Sequence, residues 1–196
     1  MKLNIAGGPL LRTVVNGPGA RTLLHVQGCS LHCPGCFNQW SWTTEADRLV
    51  DPEELARELL RANNLITISG GEPMDQPAEL ACLVRSLKQQ DPACSVIMYS
   101  GYTAAQLERK VWWGAIRECL DAVVAGPYRQ DQPRSGRGLV GSGNQEVLLL
   151  SSRYTMEEMR DPLSTVEAQV APDGTIVVTG FPTPQVVEAL RAEGDV

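Results

Sequence analysis

The sequence predicts an α/β fold, a partial (open) β/α barrel, on three observations. Short apolar runs alternate with helical patterns from about residue 22 to about residue 150, the rhythm of a parallel sheet covered by helices. Most of these runs end in loops rich in glycine, where parallel α/β proteins bind their ligands. The chain has 196 residues, too few for a complete eightfold barrel of about 250.

The elements follow in order. Residues 22–26, Thr-Leu-Leu-His-Val, form a strand that ends at Gly28. Asp51-Pro52-Glu53-Glu54 opens a helix: the aspartate caps it, proline suits the first turn, and acids favour the positive end of the dipole. Its stripe is Leu55, Leu59 and Leu60. Residues 65–69 are the next strand, and a helix over 77–90 buries Leu80, Leu83, Val84 and Leu87. A third strand covers 95–99, and a helix from about Thr103 presents Leu107 and Val111. Residues 121–125 and 147–150 are the fourth and fifth strands. The tail differs. Residues 166–170 alternate apolar and polar, Pro172-Asp173-Gly174 makes a turn, and 175–178 return, which is a hairpin signal. A short helix over 182–191 closes the chain. Residues 1–150 are thus expected to be the core and 151–196 a hairpin-and-helix extension packed on it.

Composition narrows the function. A hydrophobic fraction of 43% with 20% charged residues is ordinary for a globular protein. The net charge of −6 argues against a nucleic-acid surface, which needs clustered Lys and Arg. The N-terminus lacks a signal-peptide run and no segment reaches the ~18 apolar residues of a membrane span, so no membrane partner and a cytoplasmic setting are expected. Six cysteines there read as metal ligands and buried thiols rather than disulfides. Cys82, Cys94 and Cys119 share no ligand spacing and are expected in the core, a second cluster being the alternative.

The other three cysteines carry the chemistry. Cys29-Ser-Leu-His-Cys33-Pro-Gly-Cys36 places three thiols in eight residues, with no fourth nearby. Three thiolates on one loop can hold three corners of a four-iron cluster, which ordinarily takes four. A site short of one ligand keeps a position for substrate or cofactor, as catalytic metal sites do. Two alternatives stand beside this reading: a closed zinc site completed by His32, and a redox dithiol of Cys33 and Cys36. Four strand ends deliver unusual residues to the same rim: the cysteine loop, Gly70-Gly71-Glu72-Pro73, Ser100-Gly101-Tyr102 and Gly126-Pro127. Gly141-Ser142-Gly143-Asn144-Gln145 lies just before the fifth strand. Paired glycines permit close approach of a backbone to a ligand.

C-x3-C-x2-C followed by the aromatic Phe37 resembles the signature of radical S-adenosylmethionine (SAM) enzymes. The wider text from Gln27 to Trp42, with Asn16-Gly17-Pro18-Gly19-Ala20-Arg21 upstream, is similar to the activating enzymes of glycyl-radical enzymes, above all the activators of anaerobic ribonucleotide reductase. The resemblance covers roughly residues 16–150. It implies a radical SAM partial barrel in which Cys29, Cys33 and Cys36 hold a 4Fe–4S cluster whose fourth iron takes the amino and carboxylate groups of SAM. It implies reductive cleavage of SAM to a 5′-deoxyadenosyl radical that installs a glycyl radical on a partner enzyme. Gly70, Gly71, Glu72 and Pro73 would bind the methionyl amino group. Ser100 and Gly101 would line the methionine and ribose, and Phe37 the adenine. An electron donor such as flavodoxin or ferredoxin is implied as a second partner.

Two departures from the activator pattern stand out. Phe37 replaces the usual His or Tyr, and Ala125 stands where an Asp often precedes the glycine of the fourth strand. Other substrates for the same chemistry are a ribosomally made peptide or a small molecule. A non-catalytic iron–sulfur electron-transfer module is the reading from another class. Among the remaining residues, His25 is expected to be a core histidine, and Trp112 and Trp113 to be core aromatics at a helix end.

Overall fold

A computed structural model describes residues 1–132, 138–160, 166–170 and 176–182. Its centre is an eight-stranded mixed sheet. The strands are β1 (Leu3–Ile5), β2 (Leu10–Thr13), β3 (Arg21–Val26), β4 (Arg48–Val50), β5 (Leu65–Gly70), β6 (Ser95–Ser100), β7 (Ala122–Ala125) and β8 (Glu146–Leu149). Their order is β4-β1-β3-β5-β6-β7-β8, with β2 also on β3. The run β3-β5-β6-β7 is parallel, as the alternation of elements predicts.

Between these strands lie the helices α1 (Pro52–Ala62), α2 (Pro77–Gln90), α3 (Ala104–Leu107) and α4 (Trp113–Arg117). The Asp51 side chain caps α1 by accepting from the N–H groups of Glu53 and Glu54 at 3.0 and 3.3 Å, as its sequence predicts. Alternate residues of the sheet build two cores. Ile66, Ile68, Val96, Met98, Val123 and Ala125 pack with Leu55, Leu59, Leu80, Leu83, Val84, Leu87, Trp113 and Ile116. Ile97, Ala122 and Val124 point the other way, toward Leu139, Met159 and the half-buried Tyr154.

The fold departs from the expected pattern in three places. β8 runs antiparallel to β7. No helix occurs among the described residues between them, and a return without a crossover lands antiparallel. The fifth strand therefore begins, rather than ends, at the rim where β7 ends. Second, the helix after Thr103 stops at Leu107, and Trp112 takes φ 75° before α4 begins. This break buries Trp113 and Ile116 and leaves Val111 78% and Trp112 45% exposed; of the two tryptophans, only Trp113 is core. Third, β1, β2 and β4 extend the sheet before and beside β3 through antiparallel pairs that the rhythm does not announce.

The tail folds back on this frame. Helix α5 (Met156–Arg160) buries Met159, and β9 (Val166–Val170) pairs antiparallel with β10 (Ile176–Gly180), the expected hairpin. Tyr154 Oη lies 2.6 Å from Ser95 Oγ and accepts from Arg21 Nη1 at 3.0 Å. Glu167 accepts from the Val14 N–H at 2.8 Å, and Thr179 from Asn16 Nδ2 at 3.1 Å. The Pro172–Gly174 turn and the helix expected over 182–191 lie, apart from Pro182, outside the described residues. Among the described residues, no helix is long and apolar enough to cross a membrane.

Candidate active site

The cysteine loop springs from the carboxyl end of β3. Gly28, at φ 99°, turns the chain out of the strand. The N–H groups of Gly28 and Cys29 donate to the carbonyls of Ser41 and Trp42 at 2.8 and 3.1 Å, closing the base of the loop. Cys33-Pro34-Gly35-Cys36 is a tight turn: Cys36 N–H donates to the Cys33 carbonyl at 3.0 Å and Gly35 takes φ 74°. Proline then glycine at its centre is what a type II turn requires.

Burial pushes the Cys29 and Cys36 thiols above the ordinary cysteine range, and Cys36 is raised further by the charges of Cys33 and Cys29. The Cys36 sulfur thus lies within electrostatic reach of Cys33 and Cys29. Among the described residues, however, no three His, Cys, Asp or Glu side chains converge on a single-ion position. His32, at φ 45°, lays its ring 4.9 Å from that of Trp42. A cubane offers its irons at separate corners, so its thiolates stand further apart than those around one zinc ion. An all-sulfur donor set on one loop fits such a cluster and could hold it.

The second loop is built against the first. Gly71 N–H donates to the Val26 carbonyl and Glu72 N–H to the Gly28 carbonyl, each at 2.8 Å. A Cβ on Gly71 would lie 2.0 Å from Gly28 O, and one on Gly70 would lie 2.6 Å from Val26 N. The two glycines are required by the approach of two protein backbones, a use the sequence reading did not foresee. The third loop packs on the first through a side chain: a Cβ on Gly101 would meet Leu31 Cδ1 at 2.4 Å. All three ligand-loop candidates are thus pressed together at one rim.

Glu72 is the brace between them. It is 1% exposed. Its Oε1 accepts from Met74 N–H at 2.9 Å and Ser100 Oγ at 2.8 Å, and its Oε2 accepts from Gly101 N–H at 2.7 Å. Burial pushes its carboxyl up to about 7. The acid then holds its proton in the folded chain over a range where the unfolded chain has lost it. Stability should fall as pH rises from about 4.5 to about 7, by up to about 3 kcal/mol, and be flat above. Urea unfolding of the cluster-free protein across that range measures it, and Glu72→Gln should flatten the profile.

Phe37 is 37% exposed beside the cysteine turn, and Pro73 is buried in the 3-10 turn Pro73–Asp75. Ser100 is buried with its hydroxyl on Glu72. The segment after β7 covers the loop from the other side, with Gln130 against Gly35. A cleft of about 480 Å³ opens there between Pro34 and Tyr128, Arg129, Gln130 and Asp131. The polar string before β8 holds this segment in place: Gln145 Nε2 donates to the Gly126 carbonyl at 2.8 Å and Asn144 Nδ2 to the Pro127 carbonyl at 2.7 Å.

Other singled-out residues lie apart. Arg21 sits at the opposite end of β3, fully buried, donating to Thr67, Ile66, Ser95, Pro18 and Tyr154. His25 is buried edge-on to Trp40, and burial lowers it to about 4, so it is a neutral core residue. Ala125 is buried in the main core, so position 125 brings no carboxylate to that strand end. Of the three cysteines expected in the core, Cys94 is fully buried there, whereas Cys82 and Cys119 are only half-buried, Cys119 packing against the core. Sequence reasoning missed Asp75 and Gln76. Gln76 donates to the carbonyls of Asn4 and Gln27 at 2.9 and 3.0 Å, tying β1 to β3 beneath the loop. Their adjacency to Gly-Gly-Glu-Pro was the only available signal.

A rim of three interlocked loops, one bearing three unbridged thiols, fits the class of iron–sulfur proteins. Residues 15–148 match the family described as a 4Fe-4S single cluster domain. The anaerobic ribonucleoside-triphosphate reductase-activating protein of Vibrio cholerae is 33% identical over 144 residues, which cover 68% of this chain and 90% of that one. Its namesake in Pasteurella multocida is 31% identical with the same coverage, and that of Escherichia coli K12 is 29% identical over 150 residues, 91% of its length. The chain belongs to the family of anaerobic ribonucleoside-triphosphate reductase-activating proteins and is an activating enzyme of the radical SAM class.

Proposed function

We propose that this enzyme reductively cleaves SAM at a 4Fe–4S cluster held by Cys29, Cys33 and Cys36 and installs a glycyl radical on an anaerobic ribonucleoside-triphosphate reductase. The observation that carries the reading is the docking of the Gly70–Gly71 and Gly101 loops directly on the cysteine loop. When bound, the cluster supplies the electron that splits the sulfonium into methionine and a 5′-deoxyadenosyl radical, which removes the target glycine's Cα hydrogen.

The chain's own residues do the positioning. The N–H groups of Gly71 and Glu72 are engaged by Val26 and Gly28, so the carbonyl edge of the turn is the side that takes the methionyl ammonium. Pro73 stiffens that turn, and Glu72 locks it to Ser100 and Gly101, the pair we assign to the methionine and ribose. Phe37 supplies an apolar surface for adenine. The sheet is read as a radical SAM partial barrel over residues 1–150, with 151–196 as an extension. The cleft at Pro34 and Tyr128–Asp131 admits the partner's glycine-bearing loop, and a flavodoxin or ferredoxin supplies electrons.

Reconstitution without oxygen, followed by SAM, reductant and the candidate reductase, tests this. The expected result is a brown protein that forms 5′-deoxyadenosine and an EPR doublet from glycyl radical on the partner. A colourless protein that retains zinc and forms neither product rules the reading out. Deoxyadenosine without a glycyl radical would redirect it to a peptide or small-molecule substrate.

A further inference from the structure

Three loops of the rim converge on a side chain that no motif selects. Asp75 closes the 3-10 turn that follows Gly-Gly-Glu. Its Oδ2 accepts from the Ser30 N–H at 2.6 Å and its Oδ1 from the Ser30 hydroxyl at 2.9 Å. Tyr102 Oη, from the third loop, lies 3.4 Å from both Asp75 Oδ1 and Ser30 Oγ. One carboxylate thus holds both donors of the residue that follows Cys29, and the peptide plane it fixes includes the Cys29 carbonyl. Charge-assisted bonds of this kind are short and directional.

The charge itself is not neutralised by an ion pair among the described residues. Lys110 Nζ sits 3.6 Å from the centre of the Tyr102 ring, and Lys2 lines a cavity that Asp75 also lines, neither in an ion pair with it. An anion beside a cluster that gains negative charge on reduction opposes that reduction, and net charge and hydrogen bonds near the sulfurs set cluster potentials.

We propose that Asp75 is a positioning residue: through Ser30 it sets the Cys29 corner of the cluster, and its negative charge, exposed to solvent but in no ion pair among the described residues, lowers the cluster's reduction potential. This rests on the reading that Cys29, Cys33 and Cys36 hold the cluster. The test is an EPR-monitored redox titration of the full chain, reconstituted without oxygen, with iron and sulfide analysis beside it. Asp75→Asn keeps an acceptor for Ser30 and removes the charge. It should load iron like the parent and reduce about tenfold more favourably, a positive shift of about 59 mV for a one-electron couple. Asp75→Glu keeps the charge and should stay at the parent potential. A fully loaded Asp75→Asn with an unchanged potential overturns the proposal. Failure of both variants to load also overturns it, since Asp75 is then only a fold residue. If the parent itself takes up no cluster, the underlying reading fails first, which iron analysis reports separately.

Discussion

Cys33→Ala is expected to give a folded, colourless protein that forms neither 5′-deoxyadenosine nor a glycyl radical. Cys33 is half-exposed on the 33–36 turn and belongs to neither core. The loop is held at its base by Gly28, Cys29, Ser41 and Trp42 through the backbone, none of which the substitution touches. Surface changes of this kind alter stability by about 0.5 kcal/mol or less. Iron binding is another matter. With Cys29 and Cys36 alone, a four-iron cluster would have two corners without protein ligands, and thiolate ligation is what retains it. The loss should exceed the roughly 10–100-fold typical of removing an outer partner of a metal ligand. Iron analysis after reconstitution and product chromatography measure it, with a thermal melt as the control for folding. Cys29→Ala should share the defect and also lower stability, because Cys29 is buried. Parent-like iron content in Cys33→Ala would remove this thiol from the site.

The parts of this fold legible in the sequence are those set by short-range pattern. Ile66 and Ile68 alternate with Thr67, and Leu80, Leu83, Val84 and Leu87 recur at helical spacing; both patterns reflect one face turned to a core. β1 is three residues long, too short for periodicity, and β8 reverses after a connection whose described residues hold no crossover helix. The site divides along the same line. Cysteine spacing and paired glycines are local and point to one rim. The contacts that lock the rim join Asp75 to Ser30, Glu72 to Gly101 and Gly71 to Gly28, pairs 29 to 45 residues apart, and nothing in a linear pattern encodes them. Gly70 and Gly71 show the limit most clearly. Their presence reads as room for a ligand, and the backbone they make room for is the protein's own: β3 at Gly70 and the root of the cysteine loop at Gly71.

That distinction gives Gly71→Ala a large expected effect, about 3 kcal/mol of lost stability together with loss of SAM binding. The added methyl would stand 2.0 Å from Gly28 O and 2.7 Å from Gly28 C. Both are backbone atoms at the root of the cysteine loop, and neither can swing aside as a flexible side chain could. Relief requires the two loops to part, which breaks the bond from Glu72 N–H to Gly28 O and strains that from Gly71 N–H to Val26 O. Glu72 would move with them and loosen Ser100 and Gly101. Overpacking costs about 1–3 kcal/mol, and disruption of these buried bonds pushes this site to the upper end of that range. The same energy expressed in binding is roughly a hundredfold, measurable by calorimetric titration of SAM into the reconstituted protein. Gly114→Ala is the control. Nothing lies within 4 Å of its Cβ position, and it sits inside α4, so alanine there should gain about 0.5–1 kcal/mol from helix propensity. Urea unfolding that found the two substitutions alike would mean the loops are not in contact, and the interlocked rim on which the positioning of SAM depends would have to be abandoned.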